Sequence, residues 1–271
     1  MDNSPYHQDS SIDVLEAFDS VAVQFDERFE NEITHRIRNK IYSLVERTVH
    51  PPASLLDINC GTGIDAMALA QKGFSVLGLD ASPGMIQEAG RKAAREPGAR
   101  VAFSVGSFHH LSGHIPGLFD LAFSNFGGLN CTDDLSSVAG EVSSVLRPGG
   151  YFLAVVMPPF SLWEFFSYAL RGQRRNALRR MRKGTLATGF DGKSFTVLYH
   201  SPRTFMDACS PWFELRDLIG LSIMSPTPQS TGFARAFPRL IRLLMWVDSQ
   251  IERLPLFRSS GDHFIVICRK K

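Results

Sequence analysis

The sequence predicts an α/β fold built on a mostly parallel sheet with helices on both faces. Three observations carry this expectation. Short apolar runs alternate with amphipathic helical patterns between residues 54 and 157. A glycine turn, Gly61-Thr62-Gly63, joins the first apolar run to the helical pattern after it. The chain has 271 residues, 44% hydrophobic and 21% charged, enough for one large core with accessory elements. Strands that alternate with helices imply right-handed crossovers, which lay the strands side by side in parallel.

Each element has a local reason. Residues 12–49 read as helical, because Ile33, Ile37, Ile41, Leu44 and Val45 recur at steps of three and four. Pro51 and Pro52 end that segment. Ser54 to Ile58 is an apolar strand, Ile64 to Lys72 a helix stopped by Gly73, and Phe74 to Leu79 a second strand. Ser82 caps a helix that has Pro83 at its first position and Met85, Ile86 and Ala89 inward. Val101 to Val105 and Leu118 to Ser124 make strands three and four. Asp134 to Leu146 is a helix, and Gly149-Gly150 turn the chain into a fifth strand, Tyr151 to Met157.

Past Pro159 the character changes. Residues 160–168 are aromatic-rich, and Arg171, Arg174, Arg175, Arg179, Arg180, Arg182 and Lys183 follow. Leu162 to Arg182 reads as one or two inserted helices. Phe195 to Tyr199 is a short strand, and a helix runs from Ser201-Pro202 to near Ser210-Pro211. Then come a strand at Phe213 to Leu221, an amphipathic helix at Phe237 to Leu254 and a last strand at His263 to Cys268. The expected organisation is an N-terminal helical cap (1–50), a ligand-binding core (51–159), a helical lid insertion (160–198) and a C-terminal part that completes the sheet and adds a second lid helix (199–271).

Composition narrows the function classes. A net charge of +2 gives no argument for nucleic acid. Cys60, Cys131, Cys209 and Cys268 form no C-x-x-C pair, so neither a metal site nor a disulfide framework is expected, and reduced thiols in a cytoplasmic protein are. Met1 to Ser11 is polar, and no apolar run approaches the roughly 20 residues of a membrane helix.

The informative stretch is Leu55-Leu56-Asp57-Ile58-Asn59-Cys60-Gly61-Thr62-Gly63. Gly61 and Gly63 allow a tight turn and a close approach to a ligand. The helix beyond offers free N–H groups to an anion, and Asp57 suits an ammonium. Together they can hold an amino acid zwitterion. Asp80, at the end of the second strand, can accept two ribose hydroxyls. Gly61-Thr62-Gly63-Ile64-Asp65-Ala66 also fits a nicotinamide dinucleotide fingerprint, so this stretch alone leaves both readings open.

Four segments taken together resemble the class I S-adenosylmethionine (AdoMet)-dependent methyltransferases, most of all their small-molecule branch, the quinone C-methyltransferase-like group. They are Leu56 to Gly63, Leu79-Asp80-Ala81-Ser82-Pro83-Gly84-Met85-Ile86, Phe119-Asp120-Leu121-Ala122 and Leu146-Arg147-Pro148-Gly149-Gly150. Ala17-Phe18-Asp19 and Phe25-Asp26 are similar to the family's leader helix. The resemblance implies a Rossmann-like sheet of seven strands, AdoMet as cofactor and a small, hydrophobic or aromatic acceptor.

It also implies roles. Asp57, Gly61 and Gly63 would hold the methionyl part and Asp80 the ribose, with Ala81, Met85, Ser107 and Phe108 near the adenine. Asn125 would face the sulfonium region, and Phe25 and Arg38 would close over the methionyl end. Asn59 stands where glycine is usual, which a left-handed asparagine could tolerate. Ser107 stands where an acid is usual.

His200 is the candidate general base, between the insertion and the next helix; the alternative is an exposed loop histidine. His109 and His110 are secondary candidates, and His263 reads as structural. Trp163, Phe165, Phe166, Tyr168, Leu243, Leu244, Met245 and Trp246 are expected to wall an apolar pocket or to pack two helices together. The arginine run in 160–183 is a solvated face or a contact for an anionic acceptor or membrane. A nicotinamide oxidoreductase and a non-catalytic interaction module are the competing functions. The sequence does not name the oligomeric state.

Overall fold

The computed structural model describes residues 9–115, 117–182, 185–188, 194–228 and 230–271. The N-terminal part is α1 (Asp9–Val21), a 3-10 turn (Ala22–Gln24), α2 (Phe25–Phe29) and α3 (Glu32–Thr48). The single helical pattern of residues 12–49 is broken by Asn31. Its side chain accepts from Ile33 N and Thr34 N, while Thr34 Oγ1 accepts from Asn31 N at 2.7 Å, a reciprocal cap that starts a new helix.

The sheet follows: β1 (Ser54–Asp57), α4 (Ile64–Gln71), β2 (Ser75–Asp80), α5 (Pro83–Ala93), β3 (Val101–Val105), β4 (Phe119–Ser124), α6 (Leu135–Val145) and β5 (Leu146–Val156). The insertion holds α7 (Leu162–Ala169), α8 (Arg174–Ala177), a 3-10 turn (Arg179–Met181), β6 (Thr185–Thr188) and β7 (Ser194–Val197). The chain closes with α9 (Pro202–Cys209), β8 (Phe213–Leu221), α10 (Thr231–Ala236), α11 (Pro238–Ile251) and β9 (His263–Lys270).

Seven strands form one sheet in the order β3-β2-β1-β4-β5-β9-β8, and β6 pairs with β7 apart from it. β1 to β5 are parallel, and β9 runs antiparallel to both β5 and β8. Alternate residues of each strand enter different core layers. Leu56, Phe152, Ala154 and Val266 pack on one face with residues of α6 and α9. Leu55, Leu153, Val155 and Ile265 pack on the other with residues of α3 and α4. Both faces are covered, which is why these strands read as continuous apolar runs.

The chain leaves β1 toward β2 and β3, and leaves β4 toward β5, so the strand order reverses between β1 and β4. A crevice at the carboxyl ends of two such strands is where ligands bind in open α/β sheets. Asp57 and Asn125 follow from this: both sit at those ends.

The helix expected at 237–254 is present as α11, and a short helix not foreseen from the sequence, α10, precedes it and stops at Phe237, before Pro238. Two expectations about the accessory parts change. The insertion contains a strand, β6, paired in register with β7 (Leu186 opposite Thr196). Leu243, Trp246 and Phe166 do not wall a pocket, since they are 55%, 62% and 53% exposed. The reason lies in how α11 is anchored. Its inner side carries Ile241 and Asp248. Asp248 accepts from Met224 N at 2.7 Å and from Ser225 Oγ at 2.6 Å. Glu252, just past its end, pairs with Lys40. Carboxylates hold the helix down, and its apolar stripe turns outward.

The arginine run is likewise divided. Arg179 and Arg180 turn in to Glu164, and Arg180 also reaches Asp262. Burial makes this an ion cluster between the insertion and the start of β9. Arg171, Arg174 and Arg175 are exposed, and Lys183 lies outside the described residues.

Asn130 shows how the insertion is tied to the sheet. It is fully buried, donates from Nδ2 to Met157 O at 3.0 Å and to Leu198 O, and accepts from Met157 N at 2.9 Å. Asn130→Ala removes the side-chain partner of Met157 N and Leu198 O, while Met157 O keeps His200 N at 3.1 Å. Urea denaturation is expected to show a loss of about 2 kcal/mol, within the ~1–3 kcal/mol of an unsatisfied buried group. A loss near zero would mean that water replaces the amide.

Candidate cofactor site

The glycine turn is set by left-handed backbone at Gly61 (φ 52°) and Gly63 (φ 80°). Gly63 is confined: a Cβ there would lie 2.6 Å from the Phe103 ring. Gly61 is the opposite case, for a Cβ there would meet no atom within 4 Å. The backbone at Gly61 therefore borders open space, as a ligand cradle requires.

Asn59 needs no left-handed backbone. Among the described residues only Phe126 and Ser222 combine a side chain with positive φ. Its amide instead donates to Asn125 O at 3.1 Å and pins the turn to the end of β4. Gly128 makes room for it, since a Cβ there would lie 2.2 Å from Asn59 Nδ2.

Both acids singled out from sequence reach this turn. Asp80 accepts from Gly61 N at 2.8 Å and from Ser82 N at 2.9 Å, and burial raises its pKa. Asp57 is 1% exposed; one oxygen accepts a long 3.4 Å bond from Asn59 N, and the other has no partner. Burial, then the charge of Asp65, pushes its pKa well above the ordinary value. Asn59 Oδ1 and Ser124 Oγ are also buried without partners. Three orphaned polar atoms at the ends of β1 and β4 mark a place built for a polar ligand.

Asp65 lies in the first turn of α4, where it is fully engaged. It accepts from Arg38, from Tyr42 Oη at 2.6 Å and from Asn125 Nδ2 at 2.9 Å. Arg38 also donates to Glu30 at 2.8 Å, and its guanidinium stacks 4.6 Å above the Phe126 ring. Arg38 thus neutralises Asp65 at the floor of the site. Neither Tyr42 nor Asp65 was singled out by sequence reasoning; the spacing of Asp65 three residues from Thr62 at a helix start was their one available signal.

The N-terminal helices close over the turn. Asp19 accepts from Ser82 Oγ and, at 2.8 Å, from Gly84 N. Asp26 accepts from Thr62 Oγ1 and pairs with Lys92 at 2.6 Å. Phe25 stacks on Phe29 at 4.7 Å, and Met85 is buried against Val21 and Ala22. Ala81 is half-buried beside Asp80. Ser107 accepts from His109 N at 3.2 Å, and Phe108 packs on the core with its ring 4.8 Å from His109.

The histidines take distinct places. His200 is buried, and its Nε2 lies 2.9 Å from Thr132 O, so that nitrogen carries the proton. The Leu129 carbonyl also faces the ring, and burial lowers its pKa. It is not an exposed loop residue. His109 is half-buried with a pKa lowered by burial, and His110 is exposed. His263 is buried, with Nδ1 3.1 Å from Asp262 Oδ2. Burial raises the thiol pKa of Cys60 and brings that of Cys131 to about 12, so neither supplies a thiolate.

A separate cleft of about 350 Å³ runs between α3 and α11, lined by Lys40, Arg47, Met245, Asp248 and Glu252 among others. None of the residues at the glycine turn lines it, and Lys40 and Glu252 pair with each other.

Comparison with known proteins decides what ligand the turn holds. A family profile described as a methyltransferase domain matches residues 55–150. The chain is 30% identical over 170 residues to the demethylmenaquinone methyltransferase of Leptospira interrogans, a match spanning 58% of this chain and 68% of that protein. The chain belongs to the class I AdoMet-dependent methyltransferases. AdoMet is therefore its cofactor, and the nicotinamide reading of the turn falls away. The malonyl-[acyl-carrier protein] O-methyltransferase of Hamiltonella defensa is 36% identical over 110 residues, covering 41% of this chain and 40% of that one. The CcbJ methyltransferase structure from Streptomyces caelestis superposes with a TM-score of 0.62 at 15% identity, over 94% of this chain and 97% of that one, and shares the fold.

The residues fit an AdoMet methyltransferase. The unpartnered oxygen of Asp57 would suit an ammonium, and Asp80 keeps lone pairs that could accept from hydroxyls. Two substitutions separate folding from binding. Gly61→Ala costs ~1–2 kcal/mol of backbone strain but meets no neighbour, so the protein folds. Calorimetry with S-adenosylhomocysteine is expected to show affinity lower by roughly tenfold or more, about 1.4 kcal/mol. Asp57→Asn has the opposite balance. Because folding raises this carboxyl's pKa, its contribution to stability is full below the ordinary value of 3.8 and is lost as pH rises through the raised value. The amide is expected to make the unliganded protein more stable at pH 7 while weakening S-adenosylhomocysteine. An unliganded variant less stable than the parent at pH 7 would contradict the burial of an uncompensated charge.

Proposed function

We propose that this methyltransferase transfers the methyl group of AdoMet directly, in line, to a small hydrophobic or aromatic acceptor. The observation that carries the reading is the buried, unpartnered oxygen of Asp57 beside the open face of Gly61, with Asp80 bonded to the same turn. AdoMet supplies an electrophilic methyl on its sulfonium. The chain's task is to bind, to align and to exclude water, and alignment alone can supply roughly 7–11 kcal/mol.

The residues divide this work. Asp57 receives the ammonium, and Gly61 and Gly63 let the main chain approach the methionyl end. Asp80 accepts the ribose hydroxyls. Ala81, Met85, Ser107 and Phe108 border the adenine. Asn59 and Asn125, tied to each other, hold the floor near the sulfur. Arg38 and Phe25 close the methionyl side, Arg38 by fixing Asp65 and Phe25 by holding α2 in place. His200 is the proposed base where the acceptor carries a proton. Its lowered pKa keeps the ring neutral at pH 7, so it can take one up.

An apolar acceptor is supported by the relatives, one of which is a demethylmenaquinone methyltransferase. It is also supported by the aromatic side chains that frame the insertion. Trp163 stacks on Phe233 at 5.3 Å and Phe160 on Phe165 at 5.6 Å. Within 160–183, the exposed Phe166, Leu170, Arg171, Arg174 and Arg175 form the part of this segment that suits contact with a membrane surface. Among the described residues no helix is long and apolar enough to cross one.

The test is transfer of labelled methyl from AdoMet to a panel of apolar and polar small molecules. Label recovered only in polar acceptors would sink the reading. Asp80→Ala is expected to weaken S-adenosylhomocysteine by on the order of 1–3 kcal/mol, as a buried partner is lost. His200→Ala is expected to lower turnover by ~10²-fold or more with affinity for S-adenosylhomocysteine nearly unchanged. Turnover equal to that of the parent would reduce His200 to a clip on the Thr132 carbonyl.

A further inference from the structure

We propose that the outward face of α11 docks the protein on an anionic membrane surface. The proposal goes beyond the acceptor reading, and its test needs no acceptor. Leu240, Leu243 and Trp246 stand three residues apart on α11 and are 40%, 55% and 62% exposed. That spacing places them along one side of the helix. Asp248 and Glu252 occupy the opposite, buried side and are used up by Ser225 and Lys40. The stripe is thus the face that the fold leaves over.

The charges beside it have one sign. Arg239 and Arg242 lie on the same helix, are exposed and form no ion pair among the described residues. The one carboxylate within α11 is the buried Asp248. The start of α7 adjoins the head of α11. Trp163 of α7 stacks on Phe233, which stacks on Phe237 at the head of α11, and the end of α7 presents Leu170, 87% exposed. The exposed Arg171, Arg174 and Arg175 follow directly.

A large exposed apolar stripe on a chain of this size marks an interaction site rather than ordinary surface. Apolar side chains including a tryptophan, flanked by arginines on a helix that carries no exposed acid, match a headgroup layer that carries negative charge above hydrocarbon. A second copy of this chain suits the face poorly, because it would bring the same unpaired arginines against one another.

The experiment is co-sedimentation with vesicles of phosphatidylcholine alone and of phosphatidylcholine mixed with phosphatidylglycerol. The full chain is expected to sediment with the mixed vesicles, with binding that falls as salt rises, and weakly or not at all with phosphatidylcholine alone. Leu243→Glu with Trp246→Glu, and separately Arg239→Glu with Arg242→Glu, are each expected to reduce binding by roughly tenfold or more. Arg239→Lys with Arg242→Lys is expected to retain it. S-Adenosylhomocysteine affinity, measured by calorimetry, is expected to stay unchanged in all three, which shows the fold intact. Absence of binding to mixed vesicles overturns the proposal, as does parent-like binding by either glutamate pair. A dimer in sedimentation velocity that the Leu243–Trp246 pair abolishes, without vesicle binding, would assign the face to a second copy instead.

Discussion

Three carboxylates meet at one edge of the sheet, and how each is compensated governs the rest of the molecule. Asp65 is neutralised by Arg38 and held by Tyr42 and Asn125. Asp80 takes main-chain N–H groups from Gly61 and Ser82. Asp57 alone is left with an oxygen facing nothing. Crowding like charges in a buried place is unfavourable, and the fold tolerates it only because two of the three are satisfied by the protein. The third keeps an oxygen with no partner. The protein therefore carries an electrostatic deficit there, which a bound cation would relieve.

This constraint also explains which parts of the sheet edge are rigid. Asn59 and Asn125 brace the turn from β4, and the Arg38 guanidinium lies flat on Phe126, the residue after Asn125. Phe126 has a left-handed backbone that a large side chain rarely adopts. The arginine and the neighbouring His263, whose ring stands edge-on 6.2 Å away, hold it there. This part of the sheet edge is thus fixed by contacts that reach from α3 to β9.

The sheet was legible in the sequence because its strands obey short-range rules. Val101–Val105 and Phe213–Leu221 have the bounds that their apolar content implies, and Ser82 caps α5 as its place before Pro83 requires. The turn and its two acids were legible for the same reason, being contiguous or one strand apart. What escaped was long-range. Asn59 looks like a misplaced residue until Gly128, far along the chain, is seen to make room for it. The α11 stripe reads as a pocket wall, because helical periodicity gives the width of an apolar face and not its direction. Direction was decided by Asp248 and Glu252, whose partners lie on other elements. The helical pattern at the N-terminus concealed a break that only the Asn31 cap reveals.

The grip of the N-terminal helices on the glycine turn bears on how the protein turns over. Asp19 and Asp26 reach the N-terminus of α5 and the hydroxyl of Thr62 through hydrogen bonds to short polar groups and one lysine. These polar contacts, which exchange readily for water, border a small apolar seam in which Met85 is buried against Val21 and Ala22. That seam is a cluster apart from the two layers that cover the sheet, so a cover lifted off it would uncover the glycine turn and leave both layers packed.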